Sequence, residues 1–395
     1  MGRRGLDGQD TQDTGSGSGA GSEDRQLYLD HLKALLIAAI VAIHAVLSYS
    51  TLEVWTYTGV REVTLNPAVE GLLLLGGVPF GLFVIGLLFL AAGLLSRPSI
   101  DRKGPRRFAR DRLVRLGVPF AAYLLVVQPV AVYALEHQFG DARGSFWEEY
   151  VGEEGTLDSG PLWFVQVLLA FSLMYAALRA THRPAPRAGR GPVRMRHLLL
   201  AALAVGVASF LIRLRFPYGG ESGFTDANFW QWPACATLFG LGLVTWERGW
   251  LVSVPGDLVR RCRTVTLVAV AGAAVLLAAA GFADRFDSML GGASWWAAAF
   301  AGVDALLNLV GPVWLLAVAQ RRLDRPLRFA PEWVRRSAYA AFLVQTVALL
   351  AIAAAMRPLD VPAEVKAVLL VAAAVPASFG LGHLLVRSAA LRRVL

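Results

Sequence analysis

The sequence predicts an all-α, polytopic membrane helix bundle of about ten transmembrane helices, with the amino and carboxyl termini both cytoplasmic. Three observations predict it. Of 395 residues, 56% are hydrophobic and only 17% charged, with a mean hydropathy of +0.52, too apolar a balance for a water-covered surface. Apolar runs recur at lengths near the ~20 residues that cross a ~30 Å hydrocarbon core as helix. The polar breaks between them alternate in charge.

Residues 1–24, MGRRGLDGQDTQDTGSGSGAGSED, are rich in Gly, Ser, Asp and Gln and hold no apolar stretch. They predict a disordered cytoplasmic tail rather than a signal peptide. Residues 25–395 are expected to form one transmembrane domain, with spans near 31–51, 68–95, 115–136, 160–180, 197–213, 228–249, 262–283, 297–319, 338–356 and 364–386.

The breaks at 97–112, 182–196, 248–263 and 320–336 are heavily basic, whereas 137–160 carries Asp141, Glu148, Glu149, Glu153, Glu154 and Asp158. Excess Lys and Arg marks the cytoplasmic side. Trp55, Trp147, Trp230, Trp232, Trp295 and Trp296 then fall near the opposite face, where an aromatic belt belongs. The basic residues behind the net charge of +9 are concentrated in the basic breaks, so they predict contact with anionic membrane lipids and no nucleic-acid partner. Cys235 and Cys262 offer neither a disulfide framework nor a metal cluster.

Ionisable groups inside a span cost roughly 2.5 to 3.5 kcal/mol near its centre, which makes each a candidate for function. In YLDHLKALLIAAIVAIHAV (28–46), Lys33 and His44 are eleven positions apart, about 20° beyond three full turns, so both project from one helix face about 16 Å apart. Asp30 lies one turn before Lys33. A cytosolic anion held near Lys33 could extend a reactive arm toward His44, whose ordinary pKa of ~6.5 suits a general base; packing between helices is the alternative role for such a histidine. Arg112 and Arg115, three apart at the mouth of the third span, present paired planar forks suited to phosphate, or else snorkel to the interface. Trp163 and Gln166 open the fourth span as belt residue, interhelical contact or ligand. Asp304, with Asn308 one turn on, is placed to orient His44, to bind an acceptor hydroxyl, or to bond a neighbouring helix.

The opening RQLYLDHLKALLIAAIVAIHAV (25–46), the Arg112 and Arg115 pair, the GPLWFV stretch around Trp163 and the closing SFGLGHLLVRSAALRRVL (378–395) together resemble the membrane acyltransferase family 3. In its first-helix signature a basic residue precedes a histidine by ten intervening residues, and Lys33 and His44 fill those places. One departure is SAYAAFLVQTVAL (337–349), where many relatives have a histidine at the position of Gln345. The resemblance implies transfer of an acyl group, usually acetyl, from cytosolic acyl-coenzyme A to a hydroxyl of a glycan, lipid-linked sugar or other small acceptor, with no metal. It implies a catalytic role for His44 and donor binding by Lys33, Arg112 and Arg115; beside these, Asp30 is expected to be catalytic and Trp163, Gln166 and Asp304 to bind substrate. A multi-pass protein of a bacterial inner membrane, engaged in polysaccharide modification, is the expected setting. A proton-coupled transporter or flippase, with His44, Asp304 and Arg115 along a path, is the competing class; transporters often carry internal repeats, and none is evident between the halves of this chain.

Overall fold

Among the described residues ten helices follow the ten apolar runs: α1 (Leu27–Leu47), α2 (Pro67–Lys103), α3 (Pro105–Phe139), α4 (Trp163–Thr181), α5 (Met195–Arg213), α6 (Trp232–Trp246), α7 (Gly256–Phe282), α8 (Trp295–Arg322), α9 (Glu332–Met356) and α10 (Ala363–Arg387). The computed structural model describes residues 27–395 other than 53–54, 141–143, 152–156, 183–190, 221–224, 329, 390, 392–393 and 395, and side chains other than those of 74–82, 149 and 151. The tail expected at 1–24 lies outside the described residues. Among the described residues there is no strand, and nine helices are long and apolar enough to cross a membrane.

The exception is α6, whose 15 residues reach about 22 Å at 1.5 Å per residue. The span expected at 228–249 is therefore shorter than the sequence suggested. Pro233 sits in its first turn, and beyond its end Gly249 adopts φ 72, a left-handed turn conformation. The basic breaks shift the other way. α2 and α3 run through 97–112, interrupted only where Gly104 takes φ 77 before Pro105, because Arg and Lys favour helix and snorkel their charges outward.

Two prolines shape α3. Each follows a widened π turn, Leu113–Gly117 before Pro119 and Tyr123–Val127 before Pro129. Proline has no N–H for the carbonyl four residues back. Tyrosine hydroxyls take that place: Tyr339 donates to the Arg115 carbonyl at 2.8 Å and Tyr150 to the Leu125 carbonyl at 3.3 Å.

Successive helices run in opposite directions, giving the bundle two polar ends. At the end where α1 begins, Arg97 pairs with Glu247, Arg179 with Asp101, and Gln320 donates to the Trp250 carbonyl. At the end where α1 finishes, the Asn66 N–H bonds Glu364, and the Tyr218 N–H bonds the Leu290 carbonyl. Close crossings between helices depend on glycine. A Cβ on Gly93 would lie 2.2 Å from the Phe239 carbonyl oxygen, and one on Gly242 2.4 Å from that of Leu90, so α2 and α6 touch backbone to backbone. α8 is the central helix, with 67% of its most apolar stretch buried against 22% for α3.

Candidate active site

His44 lies in the last turn of α1. Its carbonyl accepts from the Ser48 N–H at 3.0 Å and the Ser48 hydroxyl at 2.9 Å, and the chain then folds back as the segment 48–66. That segment lays the Trp55 ring on the imidazole, centroids 4.4 Å apart and planes 15° from parallel. From α9, Gln345 Oε1 meets His44 Nδ1 at 3.2 Å. An amide oxygen only accepts, so the bond places the imidazole proton on Nδ1 and the free lone pair on Nε2. The residue that departs from the family pattern is therefore the one that orients His44.

A polar wall continues from there. Thr346, next to Gln345, has its hydroxyl 2.9 Å from that of Tyr123 on α3, which donates to Gln128 Oε1 at 2.6 Å. Gln128 Nε2 reaches both Thr56 Oγ1 and Asp158 Oδ2 at 3.3 Å. Asp158 Oδ1 accepts the Gly160 N–H at 2.7 Å; Gly160 adopts φ 47, which suits glycine and starts the short turn into α4. Gln166 donates to Thr225 Oγ1 at 2.7 Å, leaving its buried Oε1 without a partner. Trp163 is half-buried against the core.

A clamp holds segment 48–66 in place. Glu62 accepts from the fully buried Lys366 at 2.6 Å and from Tyr57 at 2.8 Å, and Arg357 Nη1 lies 3.5 Å away. Lys366 also donates to the Arg357 carbonyl at 3.2 Å, Arg357 donates to the Val60 carbonyl, and its guanidinium stands 4.3 Å over the Phe139 ring. Burial, with the neighbouring carboxylate, keeps the Tyr57 phenol above its ordinary pKa and therefore a donor. On Glu62 burial pulls upward, but the bonds from Lys366 and Tyr57 outweigh it and hold the carboxyl below the usual range. A lowered native pKa gives stability that is complete above the unfolded value of ~4.3 and lost as pH falls through the native one. Amide-exchange protection at Thr56–Glu62 should thus be flat from about pH 8 to pH 5 and fall in stronger acid. Glu62→Gln, which leaves Lys366 charged and poorly paired, should weaken that protection by about 3 kcal/mol between about pH 5 and pH 8, the difference closing in stronger acid where the wild-type carboxyl is itself neutral; equal protection in the variant at about pH 7 would show that the clamp is idle.

At the opposite end, Lys33, 44% exposed, lies 3.6 Å from Asp30. Arg112 is half-buried over the Phe108 ring at 4.9 Å, with Nη2 3.3 Å from Ser96 Oγ. Arg115 stands exposed. A π turn begins between the two arginines, at Leu113. His31 at this end is buried, bonded to the Leu323 carbonyl at 2.8 Å and to Arg335 Nη1 at 3.3 Å.

Asp304 is engaged by partners other than His44. Its Oδ2 accepts from the buried Arg213, and its Oδ1 from Asn308 Nδ2 at 2.6 Å. The Arg213 guanidinium faces the rings of Tyr218, Phe300 and Trp230 at 5.0, 5.2 and 6.0 Å. Both carboxylate oxygens are thus engaged, and the expected orientation of His44 by Asp304 gives way to Gln345.

Sequence reading passed over Trp55 as a belt residue and missed Tyr123, Gln128, Glu62, Lys366 and Arg213. Lys366 and Gln128 carried a usable signal, since each falls inside an apolar run and needs a partner there. Among the described residues no group of three or more His, Cys, Asp or Glu is placed to hold a metal ion. Residues 26–387 match the family model described as an acyltransferase domain. No curated protein and no solved structure matches the chain.

Proposed function

Since this chain belongs to the acyltransferase 3 family, and is a multi-pass membrane acyltransferase, we propose that it moves an acetyl group from cytosolic acyl-coenzyme A to a hydroxyl of a glycan or lipid-linked sugar. The observation that carries the reading is His44, held by Gln345 with Nε2 free, at one end of a bundle whose other end presents Lys33, Arg112 and Arg115. The basic breaks put the arginine end in the cytoplasm, and a bacterial inner membrane is the setting. Lys33, steadied by Asp30, and the two arginines hold the donor's phosphates, and the pantetheine arm runs the ~16 Å along α1 to His44.

The acceptor enters from the His44 end. Gln128, Thr56, Asp158 and Gln166 line that end with alternating donors and acceptors, which suits sugar hydroxyls, and Trp163 supplies an apolar face. His44 Nε2 takes the hydroxyl proton as the acceptor oxygen bonds to the thioester carbonyl carbon. The C–S bond then breaks, and the coenzyme A thiolate takes the proton from His44. The products are an O-acyl acceptor and free coenzyme A.

Donor titration tests the assignment. A charge-assisted hydrogen bond is worth about 1.5–3 kcal/mol, so Arg112→Ala with Arg115→Ala should raise the KM for acetyl-coenzyme A at least tenfold while kcat changes little. An unchanged KM would remove the arginines from the donor site.

A further inference from the structure

Two buried N–H donors beside His44 have no partner. Trp55 is buried to 7% exposure and Gln345 completely, yet Trp55 Nε1 and Gln345 Nε2 each lack a hydrogen bond. Orphaned donors of this kind are uncommon, because an unpaired buried polar group costs about 1–3 kcal/mol. Here both belong to side chains that touch one imidazole: the indole stacks on its face, and the amide bonds its Nδ1 through Oε1. Other polar side chains of the same wall, Tyr123, Thr346, Thr56 and Gln128, are engaged with one another. Both unpaired groups on the side chains that touch His44 are donors.

From this we propose that Trp55 Nε1–H and Gln345 Nε2–H are catalytic groups that together bind the carbonyl oxygen of the acyl donor as it becomes an oxyanion. The inference rests on the acyltransferase reading of the same site. As the acceptor oxygen bonds to the carbonyl carbon, the π pair moves onto the carbonyl oxygen, and the proton passes to His44 Nε2. The two N–H groups donate to the resulting negative oxygen. When the pair returns to re-form C=O, the C–S bond breaks and the coenzyme A thiolate leaves with the proton from His44. Donors already fixed by packing need no reorganisation at that moment, and low polarity strengthens their bonds. Gln345 then has two tasks on one amide: its oxygen sets the His44 tautomer and its nitrogen stabilises charge.

Trp55→Phe and Gln345→Glu test this by steady-state kinetics with acetyl-coenzyme A and acceptor, on the purified full-length protein. Trp55→Phe keeps an aromatic face on His44 and removes one N–H. Gln345→Glu keeps an oxygen for Nδ1 and removes the other. Each should lower kcat by about 10²–10³ and leave donor KM unchanged, and Trp55→Phe should leave the pH optimum in place. A Trp55→Phe enzyme with wild-type kcat would overturn the proposal, leaving the indole a packing role. A Gln345→Glu enzyme with undiminished kcat and a shifted pH profile would also overturn it, because Gln345 would then act only through His44. Wild-type protein that consumes no acetyl-coenzyme A would overturn the acyltransferase reading of the site and this proposal with it.

Discussion

Replacing His44 with alanine should yield a protein that folds, binds acetyl-coenzyme A with wild-type affinity and turns it over about 10²–10⁴ times more slowly. The size of the effect follows from the absence of a substitute. His137 is exposed and stacked on Tyr133, His182 and His197 lie at the edges of the 183–194 region, His31 is bonded at the opposite end, and His383 packs edge-on to Trp333. Only His44 combines an inward place, a fixed Nδ1 proton and a free Nε2 at the proposed acceptor end. Some stability is lost as well, since the variant strands Gln345 Oε1, at about 1–3 kcal/mol. Donor affinity by calorimetry and thiol release by a colorimetric assay separate the two effects. A His44→Ala enzyme with wild-type kcat would show that the base lies elsewhere.

The second large effect is on stability. Asp304→Ala should cost about 3–5 kcal/mol, because it leaves the guanidinium of Arg213 buried without its counter-ion. Arg213 is wholly buried, and its Nε and Nη1 already lack polar partners. Three aromatic faces accommodate the charge, but they supply less than a carboxylate does. Arg213→Ala should be comparably damaging from the other side. Replacing the pair together, as Arg213→Met with Asp304→Leu, should recover much of the loss, since no lone charge remains. Thermal melting of the detergent-purified variants measures this; a double variant as unstable as the sum of the singles would contradict a paired, structural role. Activity in the double variant also separates the scaffold role from the acceptor contact that the sequence suggested for Asp304.

What the sequence made legible is what a membrane imposes locally. Ten apolar runs, the basic breaks, and Lys33 and His44 on one face of α1 all follow from residue type and spacing along a single helix. Partners were hidden wherever the contact joins distant segments. Gln345 lies 301 positions from His44, and its amide is an ordinary residue until α9 packs beside α1. Trp55 reads as an interface tryptophan because its alternative, stacking on His44, depends on the return path of segment 48–66. Arg213 closes its span like any snorkelling arginine, and only the arrival of α8 shows that it is buried. The π turns in α3 were equally invisible: Pro119 and Pro129 announce a lost hydrogen bond, but whether the chain kinks or widens depends on Tyr339 and Tyr150 being there to satisfy the freed carbonyls.

The central claim is acyl transfer from coenzyme A, and the most direct measurement is the release of free coenzyme A thiol from acetyl-coenzyme A by the detergent-purified wild-type protein, with and without a glycan acceptor. The account predicts saturable thiol release that the acceptor accelerates, matched mole for mole by O-acetyl product. Thiol release no faster than in protein-free buffer, at donor concentrations that saturate binding, would contradict it.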